Sequence, residues 1–162
     1  IRFGMFSISL VLLPIIIGAA TCGYKIGAWL GFVFGVVVLL SGDATAFLTV
    51  NYWGTIATVL VKGTLCGFFA GLVYSALARY NQYLAVMAAA IVCPIVNTGI
   101  FLLGCQIFFL ETIKEWGAAA GFNNVAAYMF LGLAGGNFLF ELGTNLILSP
   151  AVVRVLKLAK ID

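Results

Sequence analysis

The sequence contains no histidine and few charged residues, which make up 8% of its 162 positions. A soluble domain has about 25% charged residues. The shortage of charge, together with a hydrophobic share of 64%, therefore indicates an integral membrane protein embedded in a lipid bilayer. No polar stretch is long enough to form a soluble domain beside the membrane part. The net charge of +3 comes from scattered basic residues, which argues against nucleic-acid binding, since that needs a concentrated basic face.

Motifs for catalysis and for metal binding are also missing. Without histidine there is no Ser-His or Cys-His pair and no HExxH motif. No segment has the phosphate-binding form GxxxxGK(S/T), so nucleotide hydrolysis is not expected of this chain. The sequence therefore predicts no enzyme, metal site or cofactor. The four cysteines form no CxxC pair and are expected to act as small buried hydrophobes: Cys22, Cys66, Cys93 and Cys105.

Five hydrophobic segments occupy most of the chain. Their approximate ranges are 9–23, 26–40, 55–77, 83–110 and 125–156. None shows the period-2 alternation of a lipid-embedded barrel strand, and ~20 apolar residues are enough for a helix to cross the bilayer. The sequence therefore predicts an all-α integral membrane protein, in which residues 1–162 form a single transmembrane helical bundle.

Charge placement predicts the orientation of these segments. The positive-inside rule assigns the basic connections and the C-terminus to the cytoplasm and leaves the acidic loops outside. Five spans then leave residue 1 outside, which is usual for a chain with another span upstream, so a missing first helix is expected. The loops 41–54 and 111–124 are both external. The basic group is Lys25, Arg79, Arg154, Lys157 and Lys160, and the external group is Asp43, Glu111 and Glu115, with Lys114 as the basic exception.

Glycines recur every four residues in the second and third segments. In a membrane such ridges let helix backbones approach closely, because no hydrophobic force drives the helices together. One interpretation is packing within the bundle, and the other is a docking surface for another membrane subunit. The ridges are Gly23, Gly27, Gly31 and Gly35, then Gly63, Gly67 and Gly71.

Polar residues interrupt the fifth segment at a helical spacing. Asn137, Glu141 and Asn145 follow one another at four-residue intervals, which places them along one helix face over roughly 12 Å. Such a face must point into the bundle, since polar groups exposed to lipid are costly. Asn137 is the nearest of the three to the outside and is predicted to contact a ligand. Asn145 is deeper and is predicted to bond neighbouring helices.

Two further polar residues lie in the other spans, at different depths. Lys62 is roughly 10 Å and Asn97 roughly 20 Å from the outer helix ends, and a lysine side chain can span part of that difference. Lys62, Asn97, Asn137 and Glu141 are therefore predicted to converge on one small-molecule cavity that is open to the outside. The alternative is that Lys62 pairs with Glu141 and the asparagines only join helices.

The external sequence NYWG precedes the third segment. Its Asn51, Tyr52 and Trp53 supply an amide and two aromatic faces, and are therefore further candidate ligand contacts. The alternative is an aromatic belt at the membrane surface, where Tyr and Trp are common.

Four stretches of the chain, taken in order, resemble a known family of membrane proteins. LVLLPIIIGAATCGYKIGAWLGFVFGVV resembles the second and third membrane helices of the substrate-binding S components of energy-coupling factor (ECF) vitamin transporters. LVKGTLCGFFAGLVYSAL resembles the next helix. NTGIFLLG resembles a later motif, and NFLFELGTNLILSPAVVRVLK resembles the last helix with its glutamate. The similarity runs through the whole chain.

The resemblance implies a six-helix protein of the prokaryotic cytoplasmic membrane that binds a water-soluble vitamin or precursor from outside. Its partners would be an EcfT-like transmembrane coupling subunit and two cytosolic ATPase subunits. The family's first helix, which carries a small-residue contact for the coupling subunit, has no counterpart here.

The identity of the vitamin rests on the polar residues. Lys62 suits a carboxylate and Glu141 an amine or hydroxyl, so pantothenate is the first candidate, and folate or a pyridoxine-like compound the next. Two other interpretations stay open. A structural or assembly subunit would use its polar residues only for helix association, and a self-contained carrier or channel would be expected to show an inverted repeat.

Overall fold

The computed structural model of the protein describes residues 2–3, 6–7 and 12–159. Within these ranges the only strands are β1 (Arg2–Phe3) and β2 (Phe6–Ser7), which pair antiparallel. The predicted all-α fold class is confirmed. The helices are α1 (Leu12–Cys22), α2 (Tyr24–Ser41), α3 (Thr45–Leu48), α4 (Tyr52–Ala78), α5 (Gln82–Phe108), α6 (Leu110–Ala119), α7 (Val125–Ala127), a π-helix (Tyr128–Gly135) and α8 (Gly136–Ala159).

Four helical stretches are long and apolar enough to cross a membrane: Tyr24–Ser41, Tyr52–Ala78, Gln82–Phe108 and Val125–Leu158. The helix α1, with 11 residues, is shorter. Each hydrophobic segment of the sequence overlaps one of these five helices. Residues 9–11 of the first segment and Lys160 lie outside the described residues. The single-domain boundaries, the membrane orientation and the missing first helix stay predictions.

Asparagine side chains begin two of the long helices. At the start of α4, Asn51 Oδ1 accepts a hydrogen bond of 2.9 Å from the backbone N–H of Gly54. At the start of α5, Asn81 Oδ1 accepts bonds of 2.8 and 3.1 Å from the N–H groups of Tyr83 and Leu84. The first N–H groups of a helix have no partner within it, so these side chains fix where the two helices begin.

The helices α2 and α4 approach each other through facing glycines. A Cβ atom at Gly31 would overlap the carbonyl oxygen of Gly63, and a Cβ atom at Gly67 would overlap that of Gly27. Only glycine allows backbones this close. Because each ridge covers the other, these four glycines fit packing within the bundle and leave no free surface for a partner.

The remaining ridge glycines have separate surroundings. Gly35 lies against Leu60 of α4, and Gly71 lies against the backbone of Tyr24. Gly23 lies at the break between α1 and α2 with a φ of +87°, a backbone conformation that favours glycine. Gly23 therefore allows the chain to turn and does not pack against another helix.

Two buried hydrophobic clusters form the core. The first includes Leu12 of α1 and Leu156 of α8, together with residues of α4 and α5. The second joins the end of α5 to α6 and the π-helix and includes Ile113 and Tyr128. The polar cavity described below lies where side chains of both clusters meet.

The cysteines differ in their exposure. Cys66, Cys93 and Cys105 are buried, as predicted. The prediction is wrong for Cys22, which is exposed because it ends α1 beside the Gly23 break.

The contact between the glycines of α2 and α4 leads to a prediction about stability. We expect Gly31→Ala to lower the free energy of unfolding by about 1–3 kcal/mol, because the new methyl group forces α2 and α4 apart. Gly99 of α5 has open space where a Cβ would lie, so Gly99→Ala, the matched control, should leave stability unchanged or slightly raised. Unfolding in detergent, followed by tryptophan fluorescence, measures both. Equal stability of the two variants would contradict the packing account.

Candidate functional site

A cavity of about 690 Å³ lies among α2, α4, α5, α6 and the π-helix–α8 stretch. This size is within the range of small-molecule sites in proteins, about 300–1,000 Å³. At one end the cavity is bordered by the short helices α3 and α6, which we call the loop end. Among its lining residues are seven with polar side chains from three of the long helices: Thr55, Thr58, Lys62, Asn97, Thr98, Asn137 and Glu141.

Four residues predicted to converge do line this one cavity. They are Lys62 of α4, Asn97 of α5, and Asn137 and Glu141 of α8. The spacing of Asn137 and Glu141 places both on the same face of α8, as the helical period requires.

The centre of the polar part is an amide–carboxyl cluster formed by Asn97, Asn137 and Glu141. Asn137 Nδ2 donates a hydrogen bond of 3.0 Å to Glu141 Oε1, and Asn97 Nδ2 donates one of 3.4 Å to Glu141 Oε2. Glu141 is only 3% exposed and Asn97 only 4%. A buried carboxyl group requires such donors, because it has lost its hydrogen bonds to water. The cluster also joins α5 to α8.

One interpretation of the sequence requires Lys62 to form an ion pair with Glu141. The surroundings of Lys62 differ from that. Within the described ranges it forms no ion pair with Glu141, and its Nζ atom lies 5.3 Å from the centre of the Phe101 ring. A cation–π contact of this kind is attractive but weaker than a buried ion pair. The ammonium group therefore remains available to an anionic group in the cavity.

Three polar atoms beside the cavity lack a hydrogen-bonding partner in the structure. They are Thr58 Oγ1, Asn97 Oδ1 and Asn137 Oδ1, and all three are buried. In each asparagine the amide nitrogen is used by Glu141 and the oxygen is not. Unpaired buried polar groups are rare in folded proteins.

An aromatic cluster of Phe47, Phe101, Phe109 and Trp116 lies at the loop end of the cavity. The ring of Phe47, from α3, lies 5.6 Å from that of Phe101, 5.1 Å from that of Phe109 and 5.4 Å from that of Trp116. These edge-to-face contacts hold the loop 41–54 against α5 and α6. The sequence analysis missed this cluster. The available signal was an apolar phenylalanine within the otherwise small and polar stretch DATAF.

The π-helix supplies another part of the cavity wall, next to α6. Tyr128, Gly132, Leu133 and Ala134 all line it, and a Cβ at Gly132 would lie 2.6 Å from the ring of Tyr128. π-helical turns are rare and occur often at functional sites. Nothing in the hydrophobic pattern distinguishes this stretch from an ordinary α-helix, so the sequence analysis did not predict it.

The residues of the NYWG sequence are not among those that line the cavity. Asn51 caps α4, while Tyr52 is 57% exposed and Trp53 is 76% exposed. Exposed aromatic rings at a helix end fit the aromatic-belt alternative better than the ligand-contact one.

Asn145 also lies away from the cavity. Its Nδ2 donates to the backbone carbonyl oxygen of Ala90 at 3.4 Å, and the backbone carbonyl oxygen of Asn145 accepts from Ser149 Oγ at 2.7 Å. Because the first of these bonds crosses from α8 to α5, Asn145 joins the two helices.

The comparisons with known proteins agree with this architecture. The family model described as "ECF transporter, substrate-specific component" matches residues 1–153. No curated protein matches the chain, and no solved structure does. The matched residues make up nearly the whole chain. The chain therefore belongs to the family of substrate-specific components of ECF transporters.

Proposed function

We propose that this protein binds a water-soluble vitamin or vitamin precursor in the cavity and delivers it to an ATP-driven coupling module. The observation that carries the proposal is the convergence of Lys62, Asn97, Asn137 and Glu141 on one cavity in a member of this family. A purely structural subunit would not need a cavity lined by an ammonium group that forms no ion pair with the residues the structure describes.

The direction of entry follows from the charge pattern. The loop end carries Asp43, Glu111 and Glu115, which the positive-inside rule assigns to the outside of the cell membrane. The opposite end carries Lys25 and Arg79. A solute would therefore enter from outside, past α3 and α6, and the C-terminus would lie in the cytoplasm.

The partners follow from what the chain lacks. The sequence has no phosphate-binding motif, so this chain is not expected to hydrolyse ATP, and its family supports ATP hydrolysis by other subunits as the energy source. An EcfT-like transmembrane coupling subunit and two cytosolic ATPase subunits are the proposed partners, and this chain is a transport subunit with no enzyme activity of its own.

The ligand candidates differ in how they use the cavity. Pantothenate, with a carboxylate for Lys62 and hydroxyl groups for Glu141, is the first candidate from residue chemistry. Folate and a pyridoxine-like compound also carry a ring. The aromatic cluster at the loop end supports these two, since aromatic rings contact one another favourably.

A thermal-shift screen tests the proposal. We expect one water-soluble vitamin or precursor to raise the melting temperature of the full-length protein in detergent by roughly 5–10 °C. This shift corresponds to the ~2.7 kcal/mol that a ligand at 100 times its Kd contributes. The panel should include pantothenate, folate and pyridoxine. A folded protein whose melting temperature no vitamin changes would argue against a vitamin-binding subunit.

Variants of two lining residues test the position of the site. We expect Lys62→Met to weaken binding of an anionic vitamin about tenfold or more, because a charge-assisted hydrogen bond is worth ~1.5–3 kcal/mol. Asn137→Ala should also weaken binding, since it removes a donor that orients Glu141. Calorimetry measures the Kd values. Lys25→Met, an exposed change at the other end of the bundle, is the control, and full affinity in both site variants would place the ligand elsewhere.

A further inference from the structure

Hydrogen-bond donors and acceptors are unequally available in the cavity. Each asparagine of the amide–carboxyl cluster donates one of its two amide N–H bonds to Glu141 and keeps the other. Their carbonyl oxygens have no partner. The bonds to Glu141 also fix the orientation of both amides, because a carboxylate accepts hydrogen bonds and a carbonyl oxygen cannot donate one.

Glu141 adds further acceptor capacity to the same place. A carboxylate has two oxygens with about four acceptor positions, and each oxygen here receives one amide N–H. The cluster therefore presents two amide oxygens and the unused positions of a carboxylate. A buried acceptor without a partner costs free energy, and since the three residues all line the cavity, a donor located in the cavity can remove that cost.

The geometry of a carboxylate restricts how donors are best arranged. Two parallel N–H groups on a planar frame match its two oxygens and form a bidentate pair. Hydroxyl groups on a flexible aliphatic chain lack this fixed arrangement and lose more conformational freedom on binding.

The aromatic residues that line the cavity favour a flat ligand. Aromatic side chains line it from α2 to the π-helix: Phe34, Phe47, Phe101, Phe109, Trp116 and Tyr128. Ring faces pack well against such a surface. Lys62, which forms no ion pair with Glu141 across the cavity, lies over the face of Phe101 and can receive an anionic substituent of the same ligand.

We propose that the amide–carboxyl cluster selects a planar heterocycle with two adjacent N–H donors, of the 2-amino-4-oxopyrimidine or pterin type, in preference to an aliphatic vitamin. The inference rests on the proposed function, because it concerns the ligand of the same cavity. It assigns Asn97, Asn137 and Glu141 as the residues that determine specificity, and it ranks folate-like compounds above pantothenate.

The first test needs no change to the protein. Folic acid carries a 2-amino group beside a ring N–H, and 2-desamino-2-methylfolic acid replaces that amino group with a methyl group of similar size. We expect the full-length protein in detergent to bind folic acid about tenfold or more tightly than the methyl analogue, since one charge-assisted hydrogen bond is lost. Pantothenate should bind more weakly than folic acid. Calorimetry gives the three Kd values.

A variant then assigns the preference to the cluster. Glu141→Gln keeps the side-chain size but replaces one acceptor oxygen with an N–H donor. In this variant the preference for folic acid over its methyl analogue should fall to about threefold or less. The matched control is Glu115→Gln on the exposed side of α6, which should keep the full preference.

The outcomes separate this inference from the proposed function. Equal affinity for folic acid and its methyl analogue, or tighter binding of pantothenate, overturns the inference while vitamin binding stands. A preference that persists in Glu141→Gln overturns the assignment to the cluster. Binding of no vitamin by protein that is folded and monodisperse overturns both.

Discussion

One carboxyl group on a mostly apolar helix is buried within the bundle, and the rest of this structure depends on that constraint. Glu141 is almost completely covered, and a charged group at this depth costs about 2.5–3.5 kcal/mol on insertion scales. The amides of Asn97 and Asn137 offset that cost, and one of them belongs to a different helix. Their bonds therefore set the rotation and the height of α8 against α5. Asn145 adds another hydrogen bond between α8 and α5. It lies two turns of α8 beyond Asn137, toward the C-terminus.

Two kinds of helix contact divide the bundle. Between α2 and α4 the glycines bring backbone against backbone and leave no space for a ligand. Between α5 and α8 apolar packing is joined by polar side chains beside the cavity, which need partners of their own. The cavity lies where these side chains, the π-helix and the aromatic cluster meet. The site thus lies beside the helix contact that contains polar residues, and the contact made by glycines leaves no space for one.

Much of this arrangement could be predicted from the sequence, and the failures have physical reasons. Hydropathy located the helices. Counting residues from the helix ends placed Lys62 roughly 10 Å and Asn97 roughly 20 Å deep, because α-helices have a fixed rise per residue, and the lysine side chain covers part of the difference. The NYWG residues were chosen for their chemistry, but a capping bond turns Asn51 toward its own helix. Phe47 was missed because its partners, on α5 and α6, are distant from it in sequence. The direction of the two amides depends on atomic contacts that no sequence pattern contains.

The π-helix has a consequence for how this protein can change in evolution. Its hydrogen bonds span five residues where those of an α-helix span four, so the stretch Tyr128–Gly135 holds extra length in the chain. Removing one residue from it lets the stretch close into α-helix, which absorbs the deletion and leaves the later side chains in nearly the same direction. A deletion in a regular α-helix has no such reserve and rotates every later side chain by about 100°. The positions of Asn137 and Glu141 therefore tolerate a one-residue loss in the π-helix, whereas a deletion in α5 ahead of Asn97 would turn that amide away from Glu141.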